Sequence, residues 1–394
     1  MIDIQDKKEC CGCKACEQIC PKQSITMNVD NEGFWYPVVN HETCIECSLC
    51  EKVCPELVER ESITPISSYA CYNLDETIRL KSSSGGVFTA LAEYVISQQG
   101  VVFGARFDKE WNVIHDYTES LSGLDVFRGS KYVQSDIKDS FSKVQSLLKR
   151  DKIVLFTGTP CQVSGLKLFL RKEYKNLLTM DFICHGVPSP SIWKSYLKET
   201  SPKLDRIKYI SFRDKTFGWK KFSLHIQNLN QAKSILEPLN RNLYMKGFLQ
   251  DLYLRPSCYD CSSKNYTSGS DITVGDFWGI QNEVPEIDDD KGISCILVNT
   301  NKGKIIIDKL NLYYKQMELS QIDKYNPALI RSVDKPVKRA DFYKSVGSNN
   351  TLKILDKYTK MSTVVFLKYK CRGLVKTILQ KLGLFELIKK NYKK

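Results

Sequence analysis

No stretch of this 394-residue chain approaches the roughly 18 consecutive apolar residues that a spanning helix needs, which argues against a transmembrane protein. The N-terminal Met1-Ile2-Asp3-Ile4-Gln5-Asp6-Lys7-Lys8-Glu9 has no apolar signal core, so no secretory leader is expected. Charge excess is also missing from most of the chain. The formal net charge is +13, but residues 351–394 hold 12 Lys and Arg against Asp356 and Glu386, a net +10. The other 350 residues carry only +3, which gives nucleic-acid binding no support. An apolar fraction of 42% is ordinary for a globular protein, and the length suggests two or three domains.

The sixteen cysteines are not scattered as a disulfide framework would be. Eight form two copies of one run: Cys10-x2-Cys13-x2-Cys16-x3-Cys20-Pro21 and Cys44-x2-Cys47-x2-Cys50-x3-Cys54-Pro55. Three thiolates at this spacing wrap one face of a [4Fe–4S] cube, and the fourth, before Pro, reaches the neighbouring cube. The expected sets are Cys10, Cys13, Cys16 and Cys54 on one cluster, and Cys44, Cys47, Cys50 and Cys20 on the other. A zinc site or disulfides would not explain the repeated run. Clusters need reduced thiols, so a cytoplasmic compartment is expected, and electron transfer is the expected role. Cys11 sits off the ligand spacing and reads as a spare thiol. Between the runs, 24–29 and 34–39 read as two strands around the turn Asp30-Asn31-Glu32-Gly33. A ferredoxin-type domain over 1–60 follows.

A linker at 61–68 leads to Ser82-Ser83-Ser84-Gly85-Gly86, which opens onto a helical pattern at 87–96. Free backbone N–H groups there would suit a phosphate or pyrophosphate, and a plain N-cap is the alternative. Strands are expected at 101–107 and 113–117, and a helix near 138–149. The strand 153–156 ends at Gly158-Thr159-Pro160-Cys161, where Thr159 can cap a helix and Pro160 can occupy its first position. A strand at 178–183 ends at Cys184-His185-Gly186, and Ser189-Pro190 starts the next helix. Parallel strands joined by helices would place Cys161 and Cys184 on one carboxyl edge, where α/β proteins bind ligands. Cys258-x2-Cys261 could complete a third four-thiol site there; a cluster, a zinc ion and no metal all stay open. Cys71, Cys295 and Cys371 have no partner at ligand spacing and are expected to pack.

Six ordered segments resemble the coenzyme F420 hydrogenase/dehydrogenase beta subunit family. They are 83–88 (Ser-Ser-Gly-Gly-Val-Phe), 129–134 (Gly-Ser-Lys-Tyr-Val-Gln), 158–162, 184–189, Phe212-Arg213-Asp214-Lys215 with Gly218-Trp219, and 271–279. The likeness runs from about residue 69 to 330, behind a ferredoxin-like fusion. It implies an iron–sulfur flavoprotein with FAD, in some members acting on coenzyme F420. By resemblance, Ser82, Ser83, Ser84, Gly85, Gly86, Gly158 and Thr159 become cofactor contacts, and Cys161, Cys184, Cys258 and Cys261 ligands of a third cluster. Ser268 stands where a basic residue is expected in close relatives.

The expected architecture is a two-cluster ferredoxin-like domain (1–60), an α/β body with a mostly parallel sheet (69–150 and 151–345) and a basic tail (346–394). The expected function is an oxidoreductase taking single electrons from a ferredoxin-like donor through the clusters to FAD, which exchanges two electrons with coenzyme F420 or another organic substrate. A non-catalytic electron-transfer subunit serving a partner enzyme is the alternative. Lys131 and His185 are candidate catalytic groups beside the flavin. Trp219 and Trp278 could stack on a ring system or fill a core. Apolar residues at 374, 375, 378, 379 and 382 have helical spacing, readable as a docked helix or as a peripheral membrane contact.

Overall fold

The computed structural model describes residues 1–229, 234–346 and 350–360. Each cysteine run closes with a short helix, α1 (Ala15–Ile19) and α2 (Leu49–Lys52), entered through a left-handed residue, Lys14 or Ser48. The repeat in sequence is thus a repeat in backbone. The strands β1 (Ile25–Val29) and β2 (Trp35–Val39) pair antiparallel, Ile25 opposite Val39. Asp30 builds their turn by accepting the N–H groups of Glu32 (3.0 Å) and Phe34 (2.9 Å) on its carboxylate, with Gly33 at φ +87°.

The body is organised by an eight-stranded sheet in the order β13-β3-β12-β11-β7-β6-β4-β5. These strands are β3 (Ser67–Asn73), β4 (Val101–Phe107), β5 (Val113–Thr118), β6 (Val154–Gly158), β7 (Leu177–Phe182), β11 (Ile272–Asp276), β12 (Ser294–Val298) and β13 (Leu312–Gln316). The four neighbours β4, β6, β7 and β11 run parallel, and β3 points the same way, with β5, β12 and β13 opposed. The mostly parallel sheet expected from the strand–helix alternation is present in this form. The linker over 61–68 ends by entering β3, and strands from both sides of residue 150 share this one sheet.

Local chemistry accounts for the helix starts. α3 (Glu76–Lys81) is capped by Asp75, and α4 (Val87–Ser97) starts from Gly86 at φ +88°. α5 (Ser140–Leu148) and α6 (Pro160–Leu170) follow; Thr159 caps α6 in a capping box with Gln162, and Pro160 takes its first position. Ser189 caps α7 (Pro190–Thr200) by accepting the Ile192 N–H, and Pro190 takes its first position, without a capping box. β6 is buried along its whole length, as a strand covered on both faces must be. Burying Val154, Leu155 and Phe156 supplies about 2 kcal/mol each relative to exposure.

A second, three-stranded antiparallel sheet joins β8 (Ile207–Asp214), β9 (Ser223–Asn228) and β10 (Ile235–Pro238). It packs with α7 and α8 (Leu243–Leu249) into an aromatic core holding Trp193, Tyr196, Phe212, Tyr244 and Tyr253. The helix Thr351–Thr359 docks here: Glu199 accepts the Leu352 N–H at 3.0 Å, and Ile354 and Leu355 are buried. The start of the basic tail is therefore a docked helix. The apolar positions from 374 to 382, and Cys371, lie outside the described residues. Among the described residues, no helix is long and apolar enough to cross a membrane.

Candidate functional site

All fifteen cysteines among the described residues are free thiols. Cys10, Cys13, Cys16 and Cys54 come together in an inner site, each 7–8% exposed. Burial, with Cys10 and Cys54 nearby, pushes the Cys16 thiol up, and burial, with Cys10 adding, pushes Cys54 up to about 11. Crowding thiols away from water opposes their ionisation, and a cationic centre bonded to all of them reverses that cost. This donor chemistry fits a cluster. α6 makes room for it: a Cβ on Gly165 would stand 2.9 Å from the Cys13 sulfur.

Cys20, Cys44, Cys47 and Cys50 line a second, outer pocket with Pro21, Ile45 and Leu49. Cys47 is exposed, and Cys20 and Cys44 are half-buried. The backbone N–H groups of Ile2 and Ser24 donate to the sulfurs of Cys50 (3.2 Å) and Cys20 (3.3 Å). The two sets expected from spacing are the two sets that the structure gathers.

The third group also converges. Cys161 follows β6, Cys184 follows β7, Cys258 lies within the turn Pro256–Asp260 and Cys261 directly follows it. All four line one cleft. Burial pushes Cys184 up to about 12 and Cys261 up to about 11. The Val187 N–H donates to the Cys258 sulfur at 3.4 Å. Gly186, at φ +152°, lets the chain pass Leu254 and Cys258, where a Cβ would stand 2.7 Å from a Leu254 methyl. Among the described residues no three His, Cys, Asp or Glu side chains close on a single metal ion. Thiolates around a cubane stand farther apart than those on one ion.

Cys11 lines the same cleft, and it is buried in one apolar cluster with Cys13, against which Cys161 packs. The residue read as a spare thiol therefore lies between the inner site and the body site. Asp181 also lines the cleft; burial pushes its carboxyl up to about 6, against the hydroxyls of Ser268, Thr273 and Ser270. His185 lines it too, with Nε2 at 2.5 Å from an Asp251 carboxylate oxygen and its ring edge against Phe248.

The remaining motifs gather around Arg213. Its guanidinium donates to both oxygens of Asp276 (2.7 and 3.0 Å), to the Tyr132 hydroxyl (3.1 Å) and to the Ser83 carbonyl (3.2 Å). Lys215 donates to the Ser84 carbonyl at 2.8 Å, the Gly85 N–H donates to Ser294, and the Ser130 N–H donates to Ser83. Ser82 and Ser84 spend their hydroxyls on the carbonyls of Ile78 and Ile293. The first backbone N–H groups of α4 are thus left as donors for a ligand, with the Ser83 hydroxyl, which accepts from the Ser130 N–H. Lys131 donates to the carbonyls of Val126, Phe127 and Arg128, and burial beside Arg128 pushes it down to about 7. Gly158 and Thr159 belong with the thiol cleft instead, the Thr159 hydroxyl lying 3.1 Å from the Cys161 sulfur. Trp219 and Trp278 stack on each other, with centroids 5.0 Å apart. Cys71 and Cys295 are buried in neighbouring strands, as expected of packing residues.

Sequence reasoning missed the residues that join the module to the body. Arg60 donates to Ser164 (2.5 Å), Ser262 (2.8 Å) and the Pro55 carbonyl (2.9 Å). Arg339 grips the Glu32 carboxylate with two hydrogen bonds, 2.8 and 2.5 Å. Arg255 reaches Cys10. Isolated arginines carry no periodic signal. Arg255, three residues before a Cys-x2-Cys pair, is the one that spacing could have flagged.

Residues 9–58 match the family model described as a 4Fe-4S dicluster domain. Residues 151–324 match the family model for the C-terminal part of the coenzyme F420 hydrogenase/dehydrogenase beta subunit. No curated protein matches the chain. Among solved structures, a xenon-derivatised F420-reducing [NiFe] hydrogenase complex from Methanosarcina barkeri is similar at 17% identity and a TM-score of 0.46. That match covers 69% of this chain and 92% of the other.

Proposed function

We propose that this chain, whose residues 9–58 form a 4Fe-4S dicluster domain and whose residues 151–324 belong to the coenzyme F420 hydrogenase/dehydrogenase beta subunit family, is an iron–sulfur flavoprotein oxidoreductase. Its substrate is coenzyme F420 or another organic two-electron acceptor, and its electrons come from a ferredoxin-like donor. One observation carries the reading: the body thiols Cys161, Cys184, Cys258 and Cys261 share a cleft with Cys11, which packs in one buried cluster with Cys13 of the inner site. Three thiol sites in contiguous order suit a chain that carries electrons inward.

Bound clusters supply one-electron steps, and a flavin converts these to a two-electron exchange. Cys10, Cys13, Cys16 and Cys54 would hold the inner cluster, Cys20, Cys44, Cys47 and Cys50 the outer one, and the four body thiols a third. The first turn of α4 would receive the flavin's phosphates, with Arg213 and Lys215 fixing the loop through its carbonyls. His185, held by Asp251, and Lys131, pushed down to about 7, are the groups proposed to move protons.

The engaged hydroxyls of Ser82 and Ser84 favour a second reading, an electron-transfer subunit that performs no chemistry itself. Anaerobic purification with iron, sulfide and flavin measured per chain separates the two. The first reading expects about twelve irons and about one FAD. About eight irons without flavin would overturn it.

A further inference from the structure

Arg255, which ties the body to the inner run, is a fully buried cation. Its Nε donates to the Cys10 carbonyl (2.6 Å) and one Nη to the Gln134 amide oxygen (3.1 Å). The other Nη donates to the Trp35 carbonyl (2.8 Å) and to the Cys10 sulfur (3.3 Å). The rings of Tyr36 and Phe34 lie 4.4 and 5.4 Å from the guanidinium carbon. None of the four acceptors is a carboxylate, and Glu56 senses the charge only at longer range. Burying a guanidinium without an anion is costly, and of these acceptors only the Cys10 sulfur can carry negative charge. The site is built around this group, because a Cβ on Gly12 would stand 2.8 Å from an Arg255 nitrogen. Lys14, a second cation beside the inner run, is already paired with Asp136 at 2.7 Å.

We infer that Arg255 is the charge partner of the inner cluster and raises that cluster's reduction potential selectively. The inference rests on the reading that Cys10, Cys13, Cys16 and Cys54 hold a cluster. One-electron reduction adds a negative charge to the cluster. A fixed cation hydrogen-bonded to a ligand sulfur therefore stabilises the reduced form over the oxidised one. Among the described residues no side-chain cation hydrogen-bonds an outer sulfur: the donors to Cys50 and Cys20 are the uncharged backbone N–H groups of Ile2 and Ser24, and the Met1 ammonium near Cys50 and Cys44 is paired with Glu51 at 3.0 Å. Burial alone would lower the inner potential, and Arg255 opposes that. With both clusters bound, Arg255 would favour transfer of one electron from the outer cluster, oxidised by one electron, to the inner one, reduced by one. An external one-electron donor protein replenishes the outer cluster. Arg255 acts through Cys10 and is a positioning residue.

The test is a redox titration of the full-length holoprotein followed by electron paramagnetic resonance, in wild type, Arg255→Gln and Arg255→Lys. The inner signal is assigned as the one altered by Cys10→Ser and the outer as the one altered by Cys47→Ser. In Arg255→Gln the inner midpoint falls while the outer holds, and Arg255→Lys recovers part of the fall. An inner midpoint unchanged at full iron content overturns the inference, as does an equal fall at both clusters. Should Arg255→Gln lose iron, Arg255→Lys decides: a lowered inner midpoint supports the role and an unchanged one overturns it. A wild-type protein without two [4Fe–4S] signals defeats the cluster reading itself, before any variant is compared.

Discussion

The inner and outer thiol sites come from the same eleven-residue spacing, yet they sit in opposite surroundings. Cys10, Cys13, Cys16 and Cys54 are all buried, Cys13 in an apolar core with Phe141, Phe156 and Val163 of the body, and Cys16 and Cys54 in a cluster with Ile2 and Ile25 of the module. Cys47 of the outer set is exposed, and its pocket is lined by the module's own residues. Spacing decides which sulfurs can share a centre. What packs against the run decides whether that centre meets solvent or the protein interior, and so its potential and accessibility.

Four substitutions probe how far the two environments differ. The largest effect is expected from Gly165→Val, which drives a side chain against the Cys13 sulfur. About four irons should be lost from the inner site while the outer signal persists, and iron assay with magnetic resonance reads both. Severing the clamp with Glu32→Ala should cost about 3–5 kcal/mol in chemical denaturation, because Arg339 stays buried at 5% side-chain exposure without its anion.

A pH effect separates acid sensitivity of the body from that of the clusters. His115 is buried against Phe156, with Nε2 at 3.0 Å from the Thr157 carbonyl. Burial pushes its pKa down from 6.5 to about 4. The unfolded chain therefore binds more protons between those values, and stability present above 6.5 is lost as the pH falls toward 4. Between pH 7 and 5 the loss should be about 2 kcal/mol, and His115→Gln should flatten the curve. At the outer module the exposed pair Lys7–Asp30 should matter least, with Lys7→Ala shifting stability by less than about 1 kcal/mol in the same assay.

Much of this contrast was legible as ligand spacing, and little of it as environment. Thr159-Pro160 and Ser189-Pro190 were readable as helix starts because capping is a local event. β6 and β7 were readable because buried parallel strands are continuous apolar runs. β3, with the sequence Ser-Ser-Tyr-Ala-Cys-Tyr-Asn, was not, since its polar residues take meaning only from β12 and β13 beside it. The three-stranded sheet escaped for the same reason. Within the site, Cys161, Cys184, Cys258 and Cys261 could be grouped by topology and family likeness. Arg255, Arg339 and the bridging position of Cys11 depend on contacts between residues more than a hundred apart in sequence, which no local pattern encodes. The seven expected cofactor contacts divided because Ser82–Gly86 follows β3 whereas Gly158 and Thr159 follow β6, and four strand positions separate the two in the sheet.

The central claim is that the body thiols form a metal site continuous with the inner one. The most direct measurement is iron content and magnetic resonance of an anaerobically prepared Cys258→Ala/Cys261→Ala double variant beside wild type. The account predicts a loss of about four irons with both dicluster signals retained. Iron content equal to wild type in a folded double variant would contradict it.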